Sequence, residues 1–283
     1  GRLVDSHEDI PERPLTVQSP LSVGLFAGKW CSYAAGPDLA HDQREEDGGA
    51  LVFDSAPVKE ALEILGAPVV ELDLQANKPI AMVAVRLSDV AQDDKATRVT
   101  YGLLNLTHRN SSENPEHLKP GERYRVRVQL NDIAQVFPEG HRLRLSLSTS
   151  YWPLAWPPPE PVRLTIYAGA STLNLPIRRS GELDAQLPDF GEAEGAPPLA
   201  KTMIEPEHHN WRVIRDLAKD ESTLEVINDK GIFRLDDIDL EVRNKTVETY
   251  TYQADDFSSV RGETLCTRSF KRQDWVVRTV TRT

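Results

Sequence analysis

The sequence predicts an all-β protein built as an antiparallel sandwich. Three observations carry this. Apolar and polar side chains alternate over residues 123–148, in the period of two that gives a strand one buried and one wet face. Turn residues punctuate the alternation, at Lys119-Pro120-Gly121 and at Phe137-Pro138-Glu139-Gly140. No stretch repeats apolar residues convincingly at the helical spacing, although residues 211–218 read equally well as helix or strand.

In chain order, residues 1–13 are charged and broken by proline, and read as a tether. Residues 14–47 hold one short strand signal, Leu15-Thr16-Val17, and then a loop with Gly24, Gly28 and Gly36. That loop carries Trp30 and Tyr33, which either anchor it to a core or form the rim of a substrate pocket. Residues 50–106 hold several strand signals. Leu51 to Phe53 is a short apolar run, Leu62 and Ile64 flank Glu63, and Val70, Leu72 and Leu74 alternate with Glu71 and Asp73. Ile80 to Leu87 is apolar almost throughout, as in a strand covered on both faces. Asp93-Asp94 reads as a hairpin turn into Val99, Tyr101 and Leu103.

Residues 119–150 read as two long strands. In the first, Tyr124, Val126, Val128 and Leu130 point inward, and Arg123, Arg125, Arg127 and Gln129 point outward. In the second, Leu143, Leu145 and Leu147 point inward, and Arg142, Arg144, Ser146 and Ser148 point to water. If the two strands pair, their arginines share one face. That face is either simply solvated or a docking surface for an acidic partner domain, with Arg123, Arg125 and Arg127 as its candidate residues.

Residues 162–166 and 173–177 alternate again, and residues 179–200 are an acidic, Pro/Gly-containing linker. A second antiparallel β segment is expected over 201–283, with turns at Asn228-Asp229-Lys230-Gly231 and Asn244-Lys245 and a final hairpin from Val260 to Val280. The domain division is therefore 1–13, 14–178, 179–200 and 201–283.

Composition narrows the function. Net charge is −11, and the isoelectric point is near 5.2, which argues against nucleic acid or an anionic membrane as the main partner. No apolar run approaches the ~18 residues of a membrane span. Cys31 and Cys266 are too sparse for a disulfide scaffold and are expected to be buried thiols. Sequons begin at Asn105, Asn110 and Asn244 and matter only in a glycosylating pathway. Gly1 is no initiator methionine, so a piece of a longer protein is expected.

Catalytic motifs are missing. No Gly-x-Ser-x-Gly pentapeptide exists, and Gly169-Ala170-Ser171 lacks the second glycine. His208 and His209 are adjacent and would point to opposite faces of a strand, which suits no shared metal. Asp236, Asp237 and Asp239 lack the glycine and distal glutamate of a calcium loop. Glu45, Glu46 and Asp47 include no carboxylate with an evident partner. No catalytic residue, metal or cofactor is expected.

Several short elements occur in a recognisable order. They are Ala35-Gly36-Pro37 with Asp42-Gln43-Arg44; Leu51-Val52-Phe53-Asp54-Ser55-Ala56-Pro57 running to Leu62-Glu63-Ile64-Leu65-Gly66; and Leu118-Lys119-Pro120-Gly121 followed by Val136-Phe137-Pro138-Glu139-Gly140-His141-Arg142-Leu143-Arg144 and Ser146-Leu147-Ser148. Over about residues 14–178 the chain resembles the C-terminal non-catalytic module of the CocE/NonD hydrolases, a group with cocaine-esterase-like acyl hydrolases and X-prolyl dipeptidyl peptidases. The resemblance implies a jelly-roll, galactose-binding-like β-sandwich packed on an α/β-hydrolase domain that carries a Ser-His-Asp triad. It places no triad residue in this chain. The implied partner is that catalytic domain, upstream in the same parent protein; a homo-oligomer stays open. The other reading is an independent carbohydrate- or ligand-binding sandwich.

Overall fold

The structure, a computed structural model, describes residues 1–5, 10–31, 36–179, 181 and 184–283. Seventeen strands run in chain order: β1 Pro14–Val17, β2 Leu51–Asp54, β3 Leu62–Gly66, β4 Val69–Ala76, β5 Met82–Val90, β6 Ala96–Asn105, β7 Arg123–Gln129, β8 Ile133–Phe137, β9 Arg142–Ser148, β10 Leu164–Tyr167, β11 Thr172–Asn174, β12 Lys201–Glu205, β13 His208–Asp216, β14 Glu221–Leu235, β15 Leu240–Gln253, β16 Arg261–Arg272 and β17 Trp275–Arg282. The one α-helix among the described residues is α1, Arg44–Asp47. Every strand-to-strand ladder is antiparallel. The protein is all-β, as the alternation predicts.

By its internal contacts the chain forms two units. The first is Gly1–Ala34, Asp38–Arg179 and Asp255–Ser258; the second is Ala35–Pro37, Ser180–Ala254 and Ser259–Thr283. The first unit is a sandwich. One sheet runs β1-β10-β4-β11, with β7 on the other edge of β4, and a second runs β2-β9-β5-β6. β10 and β11 share one edge of β4 end to end, at Leu74–Ala76 and Val69–Glu71. Leu72 and Leu74 of β4, Val126 and Val128 of β7, Val85 and Leu87 of β5, and Leu145 and Leu147 of β9 meet in one core.

The inward residues of β7 and β9 are those the alternation picks out, but the strand count differs. Residues 119–150 hold three strands, not two, and each joins a different sheet. β7 pairs with β4, β8 with β3, and β9 with β2 and β5. The chain breaks between β7 and β8 at Asn131-Asp132, residues that favour turns over ladders. The Arg123/Arg125/Arg127 row and the Arg142/Arg144 row therefore do not share a face. Nor is the second face of β9 wet: Ser146 and Ser148 are fully buried.

The second unit is a six-stranded sheet, β12-β14-β15-β16-β17, with β13 also on β14. Residues 211–216 belong to strand β13. The expected turn at Asn244-Lys245 is absent because β15 runs straight through it, paired on both sides. The expected turn at Asn228–Gly231 is a bulge inside β14, where the register shifts between Asp229 and Ile232. Gly231 has φ +68, and a Cβ there would lie 2.2 Å from the Glu205 carbonyl, so glycine carries the irregularity. Cys266 is half-buried, whereas Cys31 is exposed, contrary to the expected buried thiol.

Candidate functional site

The outer face of the β2-β9-β5-β6 sheet is the informative one. β5 alternates between two buried environments. Val83, Val85 and Leu87 enter the main core, while Met82 and Ala84 face a second apolar cluster with Val23, Ala27 and Tyr151. Arg86 and Ser88 follow on that second side by strand alternation, both fully buried. Residues 19–31, 38–48 and 149–157 thus form a cover over this sheet face.

Charge fixes the cover in place. Arg86 is 0% exposed, and a buried guanidinium demands partners. Its Nη1 donates to Gln43 Oε1 and Glu46 Oε2, each at 2.9 Å, and its Nη2 donates to Asp47 Oδ1 at 3.2 Å. All three partners lie at or within α1. Asp47 also accepts from Ser146 Oγ at 2.7 Å and Arg144 Nη1 at 3.1 Å. Arg144 then grips Asp54 with two bonds of 2.7 Å. The other oxygen of Glu46 accepts from the backbone N–H of Gly24 at 3.0 Å and of Phe26 at 2.8 Å. Burial pushes the Glu46 carboxyl upward, opposed by Arg86 and those two amides. Two bonds from Arg144 hold the Asp54 carboxyl below its usual range.

The motif Asp42-Gln43-Arg44 has a structural role. Gln43 Nε2 donates to the carbonyls of His41 and Phe26, and Asp42 accepts from Arg44 and from the Ala96 amide. Gly24 has φ +122, and a Cβ there would lie 2.2 Å from the Trp152 carbonyl. Only glycine permits that approach between the two arms of the cover. The Arg98 guanidinium donates to the Tyr151 hydroxyl at 2.6 Å. Burial raises the Tyr151 phenol to about 12, so it stays protonated.

The cover presents tryptophans outward. Trp30 is 80% exposed. Trp156 is 66% exposed and stands edge-on to buried Trp152, with centroids 4.7 Å apart. Trp30 is therefore no core anchor. Tyr33, its proposed companion, lies outside the described residues. On the other sheet, Arg123 pairs with Glu12 and Asp73, and Arg125 with Glu71 and Asp73. Among the described residues, Arg127 reaches only Gln129. Near this row lies a polar groove of about 520 Å³, lined by Arg109, His117, Lys119, Glu122, Tyr124 and Arg125. The Arg109 guanidinium lies over the Tyr124 ring at 4.5 Å.

Residues 4–196, more than half of the chain, match the family described as the X-Pro dipeptidyl-peptidase C-terminal non-catalytic domain. The chain belongs to this family. As such a domain, it shares 25% identity over 103 residues with the cocaine esterase of Rhodococcus sp. (strain MB1 Bresler), covering 36% of this chain and 18% of that protein. Two solved structures share the fold. An alpha-amino acid ester hydrolase superposes with a TM-score of 0.51 at 21% identity, over 60% of this chain and 33% of the other. An aminopeptidase from a marine sediment Thaumarchaeota archaeon gives 0.51 at 18%, over 60% and 34%. The X-Pro dipeptidyl-peptidase C-terminal domain here spans about a fifth of the length of the curated relatives it matches. The family match ends before β12, so the six-stranded sheet lies beyond it.

The residues that build this site were only half visible in sequence. Asp42-Gln43-Arg44 stood out as a motif, but the Arg86–Glu46–Asp47–Arg144 network did not. Arg86 inside the apolar run 80–87 was the available signal, because a charge in a doubly covered strand requires a buried carboxylate elsewhere.

Proposed function

We propose that this chain is the accessory region of an α/β serine hydrolase of the acyl-esterase or X-prolyl dipeptidyl-peptidase type. It packs on the catalytic domain and contributes a wall to that domain's substrate pocket. It does no chemistry itself. The galactose-binding-like jelly roll belongs to the same proposal. The observation that carries it is Trp30, 80% exposed on a cover whose backbone is tied to buried charges. An exposed indole on a fixed loop is costly to leave in water and suits an apolar partner or an acyl or aromatic substrate group. Family membership supports a catalytic domain as the neighbour. Arg127, with no carboxylate partner among the described residues, leaves part of the β7 face for an acidic neighbour.

The test is paired kinetics and melting of Trp30→Ala in the full-length enzyme. A pocket wall predicts a raised KM or altered substrate preference with kcat held. Unchanged constants beside a lowered Tm would dispose of the pocket role. A second reading, an independent carbohydrate- or ligand-binding module, draws on the polar groove beside Tyr124. Saturable binding of a sugar by the isolated chain, lost in Tyr124→Ala, would favour it.

A further inference from the structure

The second unit carries a feature that the proposed function does not use. Cross-strand pairing sets Met203 of β12, Phe233 of β14, Val242 of β15, Phe270 of β16 and Val277 of β17 side by side in one row. Directly opposed residues share a face, so one face carries an apolar row across all five of these strands. Met203, Phe270 and Val277 are exposed. A sheet ordinarily buries such a face under a second layer. Here that layer is incomplete among the described residues.

Charge says what would complete it. Lys201, Arg268 and Arg272 flank the row on the same face, two residues from Met203 or Phe270 along their strands. None of the three has a carboxylate partner among the described residues. The Lys201 ammonium lies 5.7 Å from the Phe233 ring. The opposite face is better compensated: Arg243 pairs with Glu205 and Asp229, and Lys271 with Glu241. Glu205 reaches that side because the register shifts after Met203.

The segment leading into β12 has the complementary chemistry. Residues 187–200 belong to the same unit as the sheet and are exposed throughout. They hold a fully exposed Phe190, with Leu187 and Leu199 also exposed. Asp189, Glu192 and Glu194 have no cationic partner among the described residues. From the tether at Lys201, the chain back to Phe190 can extend ~36 Å, whereas the row spans only ~19 Å.

We propose that residues 187–199 are a strap that closes over this row. Phe190 seats among Phe233, Val242 and Phe270, where its ring leaves water. The three strap carboxylates face Lys201, Arg268 and Arg272, and opposite charges favour that pairing. Closed, the strap supplies the missing layer. A second copy of the same face is the poorer occupant, because it brings the same three cations.

The experiment places single thiols on the full chain, with Cys31→Ser and Cys266→Ser as background. Val277→Cys reports the row, and Val276→Cys reports the opposite face of the same strand. Each is reacted with N-ethylmaleimide. Adding Phe190→Ala should speed the Val277→Cys thiol about tenfold, as expected for a strap that is closed about nine-tenths of the time. It should leave the Val276→Cys thiol unchanged. Glu192→Lys with Glu194→Lys should act as Phe190→Ala does, while Phe190→Trp should keep the slow rate. Cleavage after Glu192 and Glu194 by a glutamate-specific protease should quicken in parallel in Phe190→Ala. Circular dichroism checks that each variant is folded. The proposal is overturned if Phe190→Ala leaves the Val277→Cys rate unchanged, or speeds both thiols equally. It is equally overturned if the slow rate vanishes on dilution, which would mark a second copy as the cover.

Discussion

Leu145 and Arg144 are neighbours in β9 with opposite fates. Leu145 sits in the main core, and Leu145→Ala should cost roughly 2–5 kcal/mol. From alternation alone Arg144 reads as a solvated residue whose truncation matters little. It is instead largely covered and holds both Asp54 and Asp47. Arg144→Ala should therefore cost about 1.5–3 kcal/mol, the scale of hydrogen bonds to charged groups. Arg86→Ala should cost more, about 3–5 kcal/mol, because it leaves Glu46 and Asp47 facing each other without their shared cation. Urea melts rank the three; an Arg86→Ala loss below that of Arg144→Ala would show that the buried network is weaker than its geometry. Asp54 adds a pH signature. Its folded carboxyl titrates below the unfolded value of about 3.9. Its ion pair thus adds stability above that value and loses it as pH falls through the folded one. The stability gap between the wild type and Asp54→Asn should be open at pH 7 and closed in strong acid. A gap that ignores pH would mean that Asp54 acts through packing alone.

At the scale of elements, the sequence conveys which residues point inward better than which strands meet. Val126, Val128, Leu143 and Leu147 were legible because a two-residue period marks a buried face directly. Their assignment to different sheets was not, because pairing is decided by long-range packing that no local period encodes. The same limit hid the cover: Arg144, Ser146 and Ser148 look wet until residues 19–31 and 38–48 are laid over them. In the second unit, polar Asn244 and Lys245 mimic a turn, yet two neighbouring strands satisfy that backbone and β15 continues. The acidic stretch is the simplest element to test. Residues 187–200 are exposed throughout and form no strand. Limited proteolysis should cut there first and leave a stable piece of about 20 kDa, a usual size for one domain. First cuts within β7 to β9 would contradict that division.

For the whole molecule, the family name and the sequence agree on what is missing. The matched domain is non-catalytic by description, and no segment offers a nucleophile elbow. The isolated chain should not turn over p-nitrophenyl esters or X-Pro anilides above background, since a nucleophile needs an adjacent base and an oxyanion site. Saturable turnover that a serine-directed inhibitor abolishes would refute this. Recognition of the family in sequence rested on an ordered set of short motifs. The structure explains part of that set: Asp42 accepts from the Ala96 amide of β6, which ties the cover to its sheet, and Asp54 holds Arg144, whose other bond goes to Asp47 of the cover.

The two backbone amides that donate to Glu46 mark how that cover behaves in time. Gly24 and Phe26 lie in irregular chain, where amide protons ordinarily trade with water almost at once. Here their acceptor is a carboxylate sealed from solvent, bound in turn to Arg86. Those protons can leave only when the cover lifts from the sheet. In deuterated water they should be retained as long as the amides of β5, and Arg86→Ala should release them first.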